Sequence, residues 1–371
     1  MSTLITSLDP GDSTGPRLAV KDLIDMVGVP TTAGSRALAD EAEPAAADAA
    51  CMAGARAAGA RVVGKANLVE LAYGASGLNE WFGTPVNPLD PELVPGGSSS
   101  GSAVAVGSGL ADIAYGSDTG GSIRIPSAFC GTAGLKTTHG RISLEGVWPL
   151  SPSLDTVGPM ARDVAGLVAG MALLEPGFTP AGAPGRLVGR LRPPVAVDPV
   201  IDAAVDAALR AAGLEVVDVA LPEWPEAYAA GTCLLEAEAA ESNRRITDDP
   251  LRRAKLSAPV AARLAKSAAV TRDRVAAARR HQSGWRDRLD RLMGRFEVLA
   301  LPTVAFFAPL IGDAHGHRYT ELTNPVNLAG LPALALPVPC GGRLPASLQI
   351  IGPRHGEELL LATAVVVEGA L

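Results

Sequence analysis

Short apolar segments that are typical of β-strands alternate with helical segments along most of this chain of 371 residues. Strand patterns cover residues 61–69, 111–118 and 298–304. Helical patterns cover residues 37–60, with an interruption near Pro44, and residues 162–175. Strands that alternate with helices indicate a layered fold, because each helix must bury its apolar stripe against a sheet. The sequence therefore predicts an α/β body whose sheet is covered on both faces.

The middle of the chain departs from this alternation. From about Glu223 to Phe296 no segment has a strand pattern, and arginines and acids recur at helical spacing. We therefore expect a helical insertion, or lid, at about residues 223–296 that packs on the α/β body and is not a separate domain. Its arginine-rich run is predicted to be a solvated helix face.

The composition excludes several classes of protein. A formal net charge of −7 opposes a broad nucleic-acid-binding surface, because phosphate binding needs clustered positive charge. The longest apolar run, residues 298–312, is short for a bilayer span and is interrupted by Pro302 and Pro309. The four cysteines form no CxxC pair, and no histidine stands at metal-ligand spacing, so neither a metal site nor a disulfide framework is predicted. Since the N-terminus has no secretory pattern, we expect a cytoplasmic protein.

Two loops rich in glycine and serine stand out against this background. The first is PGGSSSGS at residues 95–102, and the second is GSDTGGSI at residues 116–123. The second loop follows a strand pattern, and its paired glycines let backbone N–H groups turn inward at a helix N-terminus, where negative charge is favoured. Such N–H groups can cradle an oxyanion, which makes Ser122 a candidate nucleophile that needs a base nearby.

The base must come from a distant part of the chain, because no S-x-x-K pattern is present. Lys65 stands between an apolar VV pair and the neutral run ANLVELA, so we expect it to be buried. Burial in an apolar site lowers the pKa of a lysine, and a neutral lysine can act as a base. The candidate is therefore a lysine whose proton exchange with Ser122 passes through a second serine.

Two other segments match known functional motifs in spacing but lack a feature that each motif requires. GARVVGK at residues 59–65 has the spacing of a phosphate-binding loop, but Ala66 stands where that loop needs serine or threonine, and the glycine precedes a strand. GSSSG at residues 97–101 matches a nucleophile elbow with Ser99 as the attacker. The residues before it, PLDPELVPG, do not form a central strand, which an elbow requires.

Residues 94–143 resemble the signature region of the amidase signature family, the Ser–cis-Ser–Lys amide hydrolases. The similarity continues through residues 19–35, 64–74 and 151–164 and through the C-terminal segment, and only the helical middle is weakly diagnostic. The resemblance implies a single domain over residues 1–371. Its central sheet would be mixed, mostly parallel and covered by helices on both faces.

The resemblance also implies a catalytic triad in which Ser122 is the nucleophile, Ser98 is a bridging serine held in a cis peptide, and Lys65 is the base. The remaining expected site residues form an oxyanion hole (Thr119, Gly120 and Gly121 with the Ser122 amide), an ion pair that braces the loop (Asp118 and Arg124), and a pocket wall (Trp148, Phe306 and Asn327).

The activity that follows is hydrolysis of a small carboxylic amide to an acid and ammonia, or an amine, through an acyl-enzyme on Ser122. No metal or organic cofactor is expected, and the expected partners are a small-molecule amide and a second copy in a homodimer, with no nucleic acid and no membrane. Two alternatives stay open: an amidase subunit of a glutamine-dependent amidotransferase, and a catalytically silent binding protein of the same fold. The first predicted strand begins near Arg17, and the short stretch before it favours a free-standing enzyme over the subunit.

Overall fold

A central mixed sheet dominates the computed structural model, which describes residues 3–9 and 14–371. Its eleven strands lie in the order β1-β3-β2-β4-β6-β5-β10-β11-β9-β7-β8. The strands, in chain order, are β1 Leu4–Ser7, β2 Arg17–Lys21, β3 Arg61–Ala66, β4 Ile113–Ser117, β5 Ala133–Lys136, β6 Val157–Ala161, β7 Leu187–Arg192, β8 Glu215–Ala220, β9 Val298–Pro302, β10 Ala333–Val338 and β11 Ala346–Ile351.

Helices pack against both faces of this sheet. The helices, in chain order, are α1 Arg36–Ala39, α2 Ala53–Ala57, α3 Ser100–Gly107, α4 Arg124–Cys130, α5 Val164–Leu174, α6 Pro199–Ala211, α7 Trp224–Ser242, α8 Arg244–Thr247, α9 Pro250–Arg253, α10 Ala258–Ser267, α11 Arg272–Met293, α12 Asn324–Ala329 and α13 Glu357–Glu368. The α/β class and the covered sheet are as the sequence predicts.

Strand β2 shows how both faces come to be buried. Its side chains alternate between faces, so that Leu18 and Val20 pack in the cluster that includes helices α5 and α13, whereas Ala19 packs with α3. All three side chains are fully buried. A strand that is covered on both sides reads as a continuous apolar run, which explains the sequence LAV before Lys21.

The balance of strand directions differs from the expected one. Six of the ten strand pairs among the described residues are antiparallel, and four are parallel. The sheet is therefore mixed, but the expectation of a mostly parallel sheet is wrong. One reason is that β10 and β11 are joined by only seven residues, which permits a hairpin but not a crossover.

The N-terminal region also differs from the prediction. The first strand is β1, not the segment at Arg17, and β1 pairs antiparallel with β3. The alanine-rich segment at residues 37–60 forms only the short helices α1 and α2. Between them, Pro44, where the sequence predicts an interruption, forms an isolated β-bridge with Pro30, so the chain is extended there.

The helical middle is present, since helices α7 to α11 occupy residues 224–293 and the structure describes no strand among them. Trp224 at the start of α7 contacts Trp285 of α11 edge to face, with 5.6 Å between the ring centroids. Both rings are buried, which fixes these two long helices against each other. In the described part of the chain, no helix has the length and apolar character that crossing a bilayer requires.

Candidate active site

The two glycine and serine loops lie side by side in the structure. The peptide bond between Gly97 and Ser98 is cis. The amide of Ser99 donates a hydrogen bond to the carbonyl oxygen of Ser122 at 3.1 Å, which joins the first loop to the second. Ser98 is fully buried, whereas Ser122 is 8% exposed, so of these two residues Ser122 is the one that borders accessible space.

Lys21, at the carboxyl end of β2, is the amine that contacts these serines. Its Nζ lies 2.7 Å from Ser98 Oγ, 2.8 Å from Ser99 Oγ and 2.9 Å from Ser117 Oγ. Ser99 Oγ itself donates to the carbonyl oxygen of Ser117, so it accepts from the amine. A neutral amine has two protons and one lone pair, and it therefore fits three hydroxyl neighbours when one of them donates to it.

The surroundings of Lys21 favour its neutral form. Complete burial lowers the pKa of this lysine to about 7, against a smaller raising effect of Asp118 and Asp155. Neither carboxylate contacts the amine, whose three neighbours are hydroxyl groups. At neutral pH a large fraction of Lys21 is thus available as a proton acceptor.

Lys65, the base expected from the sequence, does not contact Ser98, and this assignment is wrong. Its Nζ lies 2.7 Å from the carbonyl oxygen of Ile24 and 3.2 Å from Asp22 Oδ1. In the parallel pairing of β2 with β3, Val20 is opposite Lys65 and Lys21 is opposite Ala66. Side chains of paired residues share a face, so the two lysines point to opposite faces of the sheet.

Lys21 is the last residue of an apolar strand, and the second serine loop follows the end of the neighbouring strand β4. Burial alone does not distinguish it, because Lys21, Lys65 and Lys136 are all fully buried. Only the strand register decides which amine reaches the serines.

The second loop presents backbone amides beside Ser122. In the described part of the chain, the N–H groups of Thr119, Gly120 and Ser122 donate to no protein acceptor. The fourth amide, that of Gly121, donates to Asp118 Oδ1 at 2.8 Å and is not free to bind an oxyanion. Gly121 has φ +133°, and a Cβ there would lie 2.3 Å from Thr323 Oγ1, so this position requires glycine.

A buried ion pair holds the loop in shape. Arg124 Nη2 lies 2.9 Å from Asp118 Oδ1, and both side chains are fully buried. Although burial opposes ionisation, Arg124 holds the pKa of Asp118 well below its usual range. The Asn327 amide also donates to Asp118 Oδ1, at 2.8 Å. The structure therefore places Asn327 in this bracing network and not in a substrate pocket wall.

A cavity of about 210 Å³ opens beside these groups. Ser117, a neighbour of the Lys21 amine, and Thr119, the first residue with a free amide, both line it. Trp148 also lines the cavity, and its backbone N–H donates to the Leu23 carbonyl oxygen at 2.8 Å. The apolar part of the wall consists mainly of Leu23, Ala72, Leu144, Val147, Trp148 and Leu150.

Phe306 lies elsewhere, in an aromatic cluster. Its ring centroid is 6.1 Å from that of Phe129 and 5.5 Å from that of Tyr319. This cluster belongs to a separate hydrophobic core that also contains Val304. Of the three expected pocket-wall residues, the structure thus brings only Trp148 to the cavity.

Comparison with known proteins finds one family model and several relatives that match nearly the whole chain. Residues 14–175 and 188–361 match the family model described as Amidase. A glutamyl-tRNA(Gln) amidotransferase subunit of Halobacterium salinarum is 33% identical over 431 residues, which cover 99% of this chain and 98% of that protein. The corresponding protein of Thermus thermophilus, which has the same name, is 37% identical over 409 residues, covering 98% of this chain and 86% of that protein.

A solved structure supports the same relationship. The crystal structure of an amidase superposes on this chain with a TM-score of 0.87 and 33% sequence identity. The superposition covers 97% of this chain and 86% of the amidase. The similarity therefore includes the sheet, the serine loops and the helical middle.

Proposed function

This chain belongs to the amidase signature family of amide hydrolases, and from that premise we propose that it cleaves a small carboxamide through an acyl-enzyme on Ser122. The observation that carries the proposal is the 2.7 Å contact between Lys21 Nζ and Ser98 Oγ in a fully buried site. The loop that contains Ser98 is hydrogen-bonded to Ser122 through Ser99. These contacts support a nucleophile, a relay and a base that act without a histidine.

In the proposed reaction, neutral Lys21 accepts a proton from Ser98 while Ser98 takes the proton of Ser122. Ser122 Oγ attacks the amide carbonyl, and the oxyanion that forms is bound by the free amides of Thr119, Gly120 and Ser122. The proton then returns through Ser98 to the leaving nitrogen, which departs as ammonia or an amine. Water attacks the acyl-enzyme by the same proton path, which releases the acid and restores Ser122.

A small fluorophosphonate tests this proposal, because it labels an activated serine. We expect one adduct, located on Ser122 by peptide mass spectrometry, and loss of both labelling and ammonia release in Ser122→Ala. Ser100→Ala is a matched control, since this buried serine is close in sequence to the relay but its hydroxyl has no hydrogen-bond partner among the described residues. A folded wild-type protein that neither labels nor hydrolyses any amide would leave the silent binding protein as the better interpretation.

The amidase subunit of a glutamine-dependent amidotransferase is a second candidate. The names of the two nearly full-length relatives support it more directly than they support a free-standing amidase. This function predicts ammonia release from glutamine and co-purification of a partner subunit. Hydrolysis of simple amides by the isolated chain, with no activity on glutamine, would contradict it.

A further inference from the structure

The cavity described above is lined by residues that adjoin the proposed catalytic groups. Ser117 contributes to its wall and also lies 2.9 Å from the Lys21 amine. Thr119 contributes to the wall and provides the first free amide. A group bound in this cavity therefore lies next to the loop of free amides, and in a primary amide that group is the acyl part because the leaving group is ammonia.

The size of the cavity sets the scale of that group. An apolar protein cavity of about 150 Å³ binds benzene, and the cavity here measures about 210 Å³. It therefore has room for one aromatic ring and a short linker. Leucine, valine, alanine, proline and tryptophan side chains form most of its wall, so a bound ring would exchange water for apolar contacts.

The charge in the cavity wall opposes an ionised acyl group. Asp155 is the one charged residue that the structure describes in this wall, where no lysine or arginine occurs. Its Oδ1 accepts from Thr119 Oγ1 at 2.6 Å, and its Oδ2 accepts from the amides of Leu150 and Ser151 at 3.0 Å each. A substrate carboxylate would meet this acid with no cation to pair with, and burial of an unpaired charge is costly.

We propose that this cavity binds the acyl part of the substrate and selects uncharged, apolar acyl groups about the size of an aromatic ring. This inference rests on the proposed amide hydrolysis at Ser122. It separates arylacetamide-like substrates, which have no charge, from glutamine and succinamic acid, which carry a carboxylate. Free glutamine also carries an ammonium group. Asp155 is poorly placed to pair with it, because both of its carboxylate oxygens already accept hydrogen bonds from the protein.

The experiment compares kcat/KM for phenylacetamide, succinamic acid and L-glutamine by ammonia release from the full chain. We expect phenylacetamide to exceed each charged amide by about 10- to 100-fold, the range that hydrophobic pockets provide. Leu144→Arg places a cation in the wall and should reduce this preference at least about tenfold. Val195→Arg is the matched control, because Val195 is a half-buried valine in a separate, charged cleft, and it should keep the wild-type preference.

Labelling of Ser122 by the fluorophosphonate separates failure of this inference from failure of the proposed chemistry. Equal or preferred hydrolysis of a charged amide by an enzyme that labels normally would overturn the apolar pocket and leave amide hydrolysis standing. An unchanged preference in a folded, labelled Leu144→Arg would also overturn it. Absence of both labelling and ammonia release would overturn the hydrolysis and the pocket together.

Discussion

Lys21 and Lys65 are fully buried lysines on adjacent strands, and only Lys21 contacts the serines. We expect Lys21→Ala to lower kcat/KM by at least about 10²-fold, because removal of a general base has effects of that size. Lys65→Ala should retain a rate within about tenfold of wild type per folded molecule, since Lys65 makes no contact with the relay. Ammonia release, normalised to the folded fraction, measures both rates.

The same two variants should differ in unfolding free energy in the opposite order, with the larger loss in Lys65→Ala. Lys65→Ala leaves Asp22 as an unpaired buried acid, which costs about 3–5 kcal/mol of unfolding free energy. Lys21→Ala removes an amine whose partners are neutral hydroxyls, so its loss leaves no uncompensated charge. Urea unfolding measures both effects. If Lys65→Ala lost catalysis and Lys21→Ala kept it, Lys65 and not Lys21 would be the base.

The pH dependence of the reaction follows from the lowered pKa of Lys21. The neutral amine is the active form, so kcat/KM should rise tenfold per pH unit at low pH and level off above about 7. Burial also lowers the pKa of Lys136 to about 7, but the Lys136 amine donates to the carbonyl oxygens of Thr137 and Leu331 and not to the serines of the proposed site. Lys136→Met should therefore keep the profile, measured from pH 5 to pH 9. A profile that stays flat across this range would contradict the assignment of Lys21.

The lowered pKa also has a defined effect on stability. Between about 7 and its ordinary value of 10.5, Lys21 is neutral in the folded chain and protonated in the unfolded chain. The unfolded state then binds more protons, so the contribution of Lys21 to folding stability increases as the pH rises through this interval. The cost of burying this amine in its charged form is fully relieved only above the ordinary pKa.

At the level of single residues, the sequence indicated the two serine loops but not the lysine that contacts them. Ser98 and Ser122 stand in loops whose glycines and serines are visible in the sequence, and the structure brings those loops together. The choice between Lys21 and Lys65 depends on which sheet face each side chain occupies. That face is set by the pairing of β2 with β3, which is a tertiary property and has no local sequence signal.

At the level of elements, the connection between β4 and α4 depends on Asp118. This carboxylate accepts from Arg124, from Asn327 and from the Gly121 amide, so it fixes the loop that carries Ser122. We expect Asp118→Asn to lower the unfolding free energy by about 3–5 kcal/mol, because Arg124 stays buried without its counter-ion. Urea unfolding of the purified variant measures this loss.

The exposed pair of Arg17 with Asp112 provides the control for that experiment. These side chains are 34% and 45% exposed, so solvent screens their attraction. Asp112→Asn should therefore change the unfolding free energy by no more than about 1 kcal/mol. Equal losses in the two aspartate variants would show that Asp118 does not hold the loop through its buried charge.

At the level of the whole molecule, the helical middle reaches the proposed site through α7. A Cβ built on Gly120 would lie 3.4 Å from Leu235 Cδ1, so this helix borders the loop of free amides. We propose on this basis that the middle of the chain acts as the cover of the site. The sequence indicated its helical character, but the contact with the loop arises from the packing of α7 on α12.

The architecture of the sheet was predictable only in part. Apolar runs such as LAV revealed buried strands, and their alternation with helices revealed the layers. The balance of parallel and antiparallel pairs depends on which distant strands become neighbours, as when β10 pairs with β5. Such pairings join segments about 200 residues apart and follow from the assembled core, so no local pattern encodes them.

The alignment of β2 with β3 also limits how this enzyme can change during evolution. Deleting or inserting one residue in β2, ahead of Lys21, would move this amine to the opposite face of the sheet, away from the serines. That face is the one on which Asp22 pairs with Lys65. The resulting polypeptide could retain its layers and still have no proton acceptor at the nucleophile. Length changes are therefore tolerable in the surface connections, whereas these two short strands must keep their residue count.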